Sequence, residues 1–205
     1  MFKKLMLLLS LFAIYPAMGN TQKTSSRILK GDASRAVFVS GEIRDLSRES
    51  ARLFKLAEEG DSPIYIFINS PGGSVIAGGM FIQVMDRVKS ANIEIRCVVE
   101  GMAASMAMHI FANCSKRYAF ESSLLLWHPA YRYVRGAAIT EKVAERISKQ
   151  IKLLTELYEK RLKKALALED AIYYEYYYNE YFVTAWRLRM LTPNFLSIVD
   201  NVIGE

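Results

Sequence analysis

Ser105 lies in Gly101-Met102-Ala103-Ala104-Ser105-Met106, between a β-branched run, Ile93 to Val99, and an apolar helical run, Ala107 to Ala112. A serine on such a strand-to-helix turn sits beside helical N–H groups that have no partner within the helix. Those donors, with the positive end of the helix dipole, suit an anion that develops beside the hydroxyl. Taken alone, the stretch reads first as a helix cap, the ordinary role of a serine there. A second stretch, Asn69-Ser70-Pro71-Gly72-Gly73, closes another apolar run, and a third, His128-Pro129, closes a run ending at Trp127. His128 has the chemistry to take the Ser105 proton and return it to a leaving group. Gly72 and Gly73 allow positive φ and close approach of a substrate backbone, and their N–H groups with that of Met106 form a candidate oxyanion hole. The other histidine, His109, lies one turn after Ser105 and is the alternative base.

The elements around these residues explain why they should meet. Val37 to Val39 reads as a short strand, and Leu46 to Glu58 carries apolar residues at helical spacing. Ile64 to Ile68 is continuously apolar, as a strand buried on both faces would be. A helix from Val75 to Val88, a strand at Ile93 to Val99, the Ser105 helix and a strand from Tyr118 to Trp127 follow. This β-α-β-α-β order with short connections predicts an α/β fold with a parallel sheet and right-handed crossovers. Gly72-Gly73, Ser105 and His128 each fall just past the C-terminal end of a different strand. In a parallel sheet those ends share one edge, with neighbouring strands about 4.8 Å apart. Three landmarks on one edge favour a hydrolytic site over a cap.

Length and composition bound the rest. The chain has 205 residues and 52% hydrophobic content, enough for one core. Residues 1–19 carry Lys3 and Lys4 before an apolar stretch, Leu5 to Ile14, and end in Ala17-Met18-Gly19. That pattern predicts a secretory signal peptide and an exported, periplasmic or secreted protein. Its removal lowers the net charge from +6 to +4, with acids and bases interspersed, so neither nucleic acid nor a charged surface is indicated. Residues 20–36 are polar and read as a flexible mature terminus ahead of a single domain, 37–205. Cys97 and Cys114 make neither a zinc site nor a redox motif. Strand and helix rises put them at similar heights on neighbouring elements, so they are either a disulfide or two small buried hydrophobes. No metal or cofactor is indicated.

These motifs resemble the proteolytic subunit of the Clp peptidase, ClpP. The family carries Asn-Ser-Pro-Gly-Gly-Ser-Val, here Asn69 to Val75, and Gly-Met-Ala-Ala-Ser-Met with the nucleophile, here Gly101 to Met106. Its Lys-Arg-Tyr/Phe-Ala segment precedes the catalytic histidine as Lys116 to Ala119 precedes His128. The resemblance is strongest from Tyr65 to Pro129. It implies a ClpP/crotonase-like spiral of βαβ units with a protruding handle helix, and peptide-bond hydrolysis through an acyl-enzyme. It also implies a homo-oligomer, in the family a ring, acting on peptides or unfolded proteins. An exported chain meets essentially no ATP, so no ATPase partner is expected.

The departures are informative. The segment between Ser105 and Lys116 is shorter than the family's. The family's third triad member matches best at Glu180, within Asn179 to Ala185 and one methylene longer; Asn179, or a dyad without a carboxylate, is the alternative. Arg132 to Gly136 alternates like an exposed strand, the segment that in the family pairs with substrate. Thr140 to Leu166 reads as one long helix with Val143, Ile147, Ile151, Leu154, Tyr158, Leu162 and Ala165 on one stripe. That stripe serves either the chain's own core or an assembly surface. The tyrosine run Tyr173 to Tyr178 reads as an aromatic helix face without an assigned role. The competing class is a non-catalytic ClpP-like scaffold with a degenerate triad. A Ser–Lys enzyme would need a lysine at these strand ends, and none is there.

Overall fold

The computed structural model describes residues 27–130 and 140–204. Its centre is β3 (Ile64–Ser70), whose side chains alternate between two buried faces. Ile64, Ile66 and Ile68 are fully buried in the main core, while Tyr65 packs with Leu29, Val98 and Val199 in a smaller cluster on the other side. Burial on both faces explains the unbroken apolar run. Parallel neighbours flank it: β2 (Ala36–Ser40) on one side and β4 (Ile95–Ala104) on the other. With β5 (Lys116–Phe120) and β8 (Ser197–Val199) the order is β2-β3-β4-β5-β8, every pair parallel.

Three helices cover the main-core face: α1 (Ser47–Glu58), α2 (Val75–Ser90) and α3 (Met106–Ala112). They contribute Leu53 and Leu56, then Phe81, Met85 and Val88, then Ala107, Ile110 and Phe111 to the core. Ser74 caps α2, its Oγ accepting from the Ala77 N–H at 3.2 Å. The fold is therefore α/β with a parallel sheet, as the apolar spacing predicts.

Two differences from the expected elements shape the site. The turn expected at Gly101 is a bulge instead: the β3–β4 register jumps from Ile68↔Val99 to Ser70↔Ala103, and β4 runs on to Ala104. The single strand expected from Tyr118 to Trp127 is two strands, β5 and β6 (Leu124–Leu126), and both pair with β4. The break at Glu121–Ser122 is pinned by the Ser123 hydroxyl, which donates to the Val99 carbonyl at 2.8 Å. After the bulge, β6 takes over from β5 beside β4, and β7 (Val183–Thr184) joins β6 antiparallel. This handover is how the sheet begins to wind.

Residues 27–36, the described part of the polar stretch 20–36, are built into the fold. β1 (Ile28–Gly31) pairs in parallel with β9 (Asn201–Gly204), and a short 3-10 turn at Ala33–Arg35 leads into β2. Leu29 is buried, and Arg27 pairs with Asp200 at 3.1 Å. The pairing partner lies at the other end of the chain, where local sequence reading cannot reach. Residues 1–19 and the Arg132 to Gly136 strand lie outside the described residues.

The long helix is α4 (Glu141–Leu166), 26 residues capped by the Thr140 side chain and about 39 Å long. Its C-terminal part packs by Leu162 and Leu166, both fully buried, while Leu153 and Leu157 are 66% and 52% exposed. The stripe from Val143 through Leu154 is half-buried. α5 (Asp170–Asn179) carries the tyrosines, and α6 (Ala185–Leu191) completes the helices. Cys97 and Cys114 form a disulfide, with Cα atoms 6.0 Å apart. Ser115 returns the chain to the start of β4, its N–H donating to the Ile95 carbonyl at 2.9 Å, which sets the cysteines side by side. Among the described residues no helix is long and apolar enough to cross a membrane.

Candidate active site

Ser105 stands at the junction of β4 and α3 with φ +55° and ψ −124°. A side chain rarely adopts that backbone conformation, and such strain persists only where the surroundings impose it. Here the surroundings are two ladders. The Ser105 N–H donates to the Leu126 carbonyl at 3.0 Å, at the end of β6. Its own carbonyl accepts from the Met108 N–H at 3.0 Å, starting α3. The sharp turn lifts the hydroxyl off the strand end.

The same pairing positions His128. β6 is in register with β4 at Ala104↔Leu126, so the histidine lies two residues beyond the point where Ser105 is held. Trp127 anchors this end: its indole N–H donates to the Tyr173 carbonyl at 3.2 Å, and its ring stacks on Tyr173 and Tyr176. The tyrosine run, which carries no legible role in sequence, thus clamps the strand that carries the histidine. Ser105 and His128 line one cavity of about 30 Å³, together with Met106, His109, Glu159 and Tyr177.

His128 Nδ1 lies 2.6 Å from the Pro129 carbonyl. A carbonyl only accepts, so the contact requires the proton on Nδ1. In that tautomer Nε2 is the nitrogen that carries the lone pair. His109 is in a different state. Burial first, and then the neighbouring His128, push it down to about 4, so at neutral pH it is an uncharged ring, tilted against Tyr158 at 5.6 Å. A base with that affinity is a poor acceptor for a serine proton at neutral pH.

The glycine turn sits against the serine. A Cβ at Gly72 would lie 2.6 Å from the Ser105 Cβ and 2.9 Å from the Met106 nitrogen. The Gly72 N–H donates to the Ser70 hydroxyl at 3.1 Å, so it is occupied and does not serve as an oxyanion donor in this arrangement. Gly72 fills a steric role instead. The Ile43↔Gly73 bridge uses the Gly72 carbonyl and the Ser74 N–H, which turns the Gly73 N–H to the opposite side. The Met106 N–H opens α3 and has no acceptor within the helix. Gly73 and Met106 are therefore the donor pair the backbone offers.

The candidate third member is Glu180. It is the exposed C-cap of α5, in the left-handed conformation at φ 54°. β7 pairs with β6 antiparallel at Leu124↔Thr184 and Leu125↔Val183, and Glu180 lies three residues before that pairing, at the end of α5. The contact of Nδ1 here is the backbone carbonyl of Pro129. Asn179 is turned away, its amide donating to the Glu175 carbonyl at 2.7 Å. Glu159 is the cavity carboxylate that sequence spacing did not single out, because only the docking of α4 brings it there.

The chain is 34% identical over 138 residues to the ATP-dependent Clp protease proteolytic subunit of Ligilactobacillus salivarius, covering 64% of this chain and 67% of that protein. It is 35% identical over 142 residues to the ATP-dependent Clp protease proteolytic subunit 2 of Bacillus licheniformis, covering 66% and 72%. The Clp protease family profile matches residues 17–173, a span that takes in Gly72, Ser105 and His128 and stops short of Glu180. On that match the chain belongs to the Clp protease family.

Proposed function

We propose that the chain is an exported serine endopeptidase that hydrolyses peptides or unfolded proteins through an acyl-enzyme, without an ATP-driven partner. The observation that carries the catalytic reading is the shared cavity: Ser105, on its strained turn, and His128 line it together at the C-terminal edge of the sheet. In this reading the Ser105 Oγ attacks the scissile carbonyl while His128 Nε2 takes its proton. The Gly73 and Met106 N–H groups receive the oxyanion. His128 then protonates the leaving amine, and water repeats the sequence to free Ser105. Glu180, from the segment between α5 and β7, is the carboxylate that orients His128 in this reading.

Export rests on the sequence of residues 1–19, and independence from ATP rests on export. The relatives are named ATP-dependent, which describes those proteins. The homo-oligomer is likewise proposed: the relatives are named subunits, and Leu153 and Leu157 leave an apolar surface on α4.

A non-catalytic scaffold is the second reading. It is favoured by one observation, the exposure of Glu180 at the end of α5. A fluorophosphonate probe separates the two. Labelling of the wild type that disappears in both Ser105→Ala and His128→Ala supports the peptidase; an unlabelled wild type supports the scaffold. Fractionation of cells expressing the full chain tests export: an intact precursor kept in the cytosol, with turnover that needs an ATPase, overturns that part.

A further inference from the structure

We propose that Glu159 makes the cavity beside Ser105 a subsite for a cationic side chain, so that cleavage follows Lys or Arg. The inference rests on the peptidase reading and names its substrate class. Glu159 is half-buried on α4 and lines the same cavity as Ser105 and His128. A side chain entering there belongs to the residue whose carbonyl the serine attacks.

The remaining wall is largely apolar, with Val75, Ala130, Leu154 and the Tyr158 ring. Glu159 is the one carboxylate in it. Its hydrogen-bond partners are phenols: the Tyr174 hydroxyl donates to it at 2.7 Å, and Tyr177 stands beside it in the cavity wall. The cation one turn further along the helix, Lys163, is taken by Asp170 at 2.9 Å and by the Tyr174 hydroxyl at 3.3 Å. None of the ion pairs given for the described residues includes Glu159. Its charge nevertheless acts across the wall: burial first, then Glu159, push the Tyr177 phenol well up.

Among the described residues this half-buried carboxylate, facing apolar walls and phenols, forms no ion pair, whereas burial ordinarily brings a counter-charge. A Lys or Arg side chain supplies it. Its methylene stem lies along Val75 and Leu154 while its head reaches the acid. A neutral or acidic side chain would leave the carboxylate unpaired or repelled, which is how a polar subsite rejects the wrong substrate.

The test uses the purified protein and four fluorogenic peptide amides that differ only in the cleaved residue: Lys, Arg, Leu or Glu. The wild type is expected to show kcat/KM about tenfold higher for Lys and Arg than for Leu, with Glu lowest. Glu159→Gln keeps an acceptor for Tyr174 and should bring the Lys-to-Leu ratio toward one. Glu159→Lys should reverse the order in favour of Glu. Each ratio is taken within one preparation, so a partly folded variant does not mimic the effect. A wild type that prefers Leu overturns the subsite and leaves the peptidase standing. So does a Gln variant that lowers all four rates alike, which would make Glu159 a positioning residue. A wild type that cleaves none of the four overturns the peptidase reading and the subsite with it.

Discussion

Gly72 lies so close to Ser105 that a Cβ placed on the glycine would come within 2.6 Å of the serine's own Cβ. It would also come within 2.5 Å of the Ala104 carbonyl, and Gly72 has φ +91°. Nothing larger than hydrogen fits between the glycine turn and the serine turn. Gly72→Ala should therefore push Ser105 and the Met106 N–H out of position. A displacement of about 1 Å at such a site costs on the order of 10²-fold in rate. The strain should lower stability by about 1–3 kcal/mol. Peptide hydrolysis and chemical denaturation read the two effects, and a variant with wild-type kcat/KM would remove Gly72 from the site.

His109 and His128 should differ in their consequences although both line the cavity. His109→Phe should leave serine labelling in place, whereas His128→Ala abolishes it. The pH dependence of stability follows from His109. Its pKa is depressed to about 4 in the folded chain, against about 6.5 when unfolded. Between those values the unfolded state binds the proton that the folded state refuses, so stability is intact above about 6.5 and falls as pH drops toward 4. The loss is as much as about 3 kcal/mol at 1.36 kcal/mol per pH unit. Urea titrations at pH 7 and pH 4.5 check this, and the difference should shrink in His109→Phe. An equal drop in both proteins would mean that His109 is not buried uncharged.

These relationships were unequally legible in the sequence. The sheet was plain because Ile64 to Ile68 is apolar without interruption, as a strand buried on both faces requires, and Ile95 to Val99 is broken only by Arg96. Ser105 and His128 could be placed on one edge because each follows such a run. The course of β4 from Glu100 to Ala104 was not, since a bulge rich in Gly and Ala has no strand propensity of its own and is held by β3 and β6. β1 was missed for the same reason: its pairing with β9 is a contact across the whole chain. Motif reading gave Gly72 as a donor, yet the Ser70 hydroxyl takes its N–H, a local hydrogen bond that spacing does not show. Glu159 and the Trp127 clamp depend on how α4 and α5 dock, and helical periodicity says nothing of what a helix faces.

The proposed assembly makes a prediction at two positions on α4. Leu153 and Leu157 are one turn apart and 66% and 52% exposed, whereas Ile151 and Leu154 are half-buried. Glutamate at 153 and 157 should dissociate an oligomer and leave the fold intact, because neither side chain is needed by the core. Glutamate at 151 and 154 should also cost stability. Sedimentation velocity and thermal unfolding on the two double variants separate the outcomes. A wild type that sediments as a monomer at every concentration removes the assembly.

The disulfide ties together the two ends of the segment that presents the nucleophile. Cys97 on β4 and Cys114 just past α3 are both buried, and Ser105 lies between them in sequence. Their separation of 17 residues corresponds to about 3 kcal/mol in the loop-entropy model. The bond therefore limits how far β4 and α3 can part when the chain opens locally, which should hold the strained turn at Ser105 in shape. Counting thiols in the denatured, unreduced protein should find none, and two would dispose of the bond. The double variant Cys97→Ala, Cys114→Ala should unfold at lower denaturant, by roughly the loop-entropy amount together with a contribution from lost packing. Its rate at low temperature, where both proteins are folded, reports on the turn itself. If the bond only stabilises the fold, that rate stays at the wild-type value; if it shapes the site, serine labelling slows while circular dichroism is unchanged.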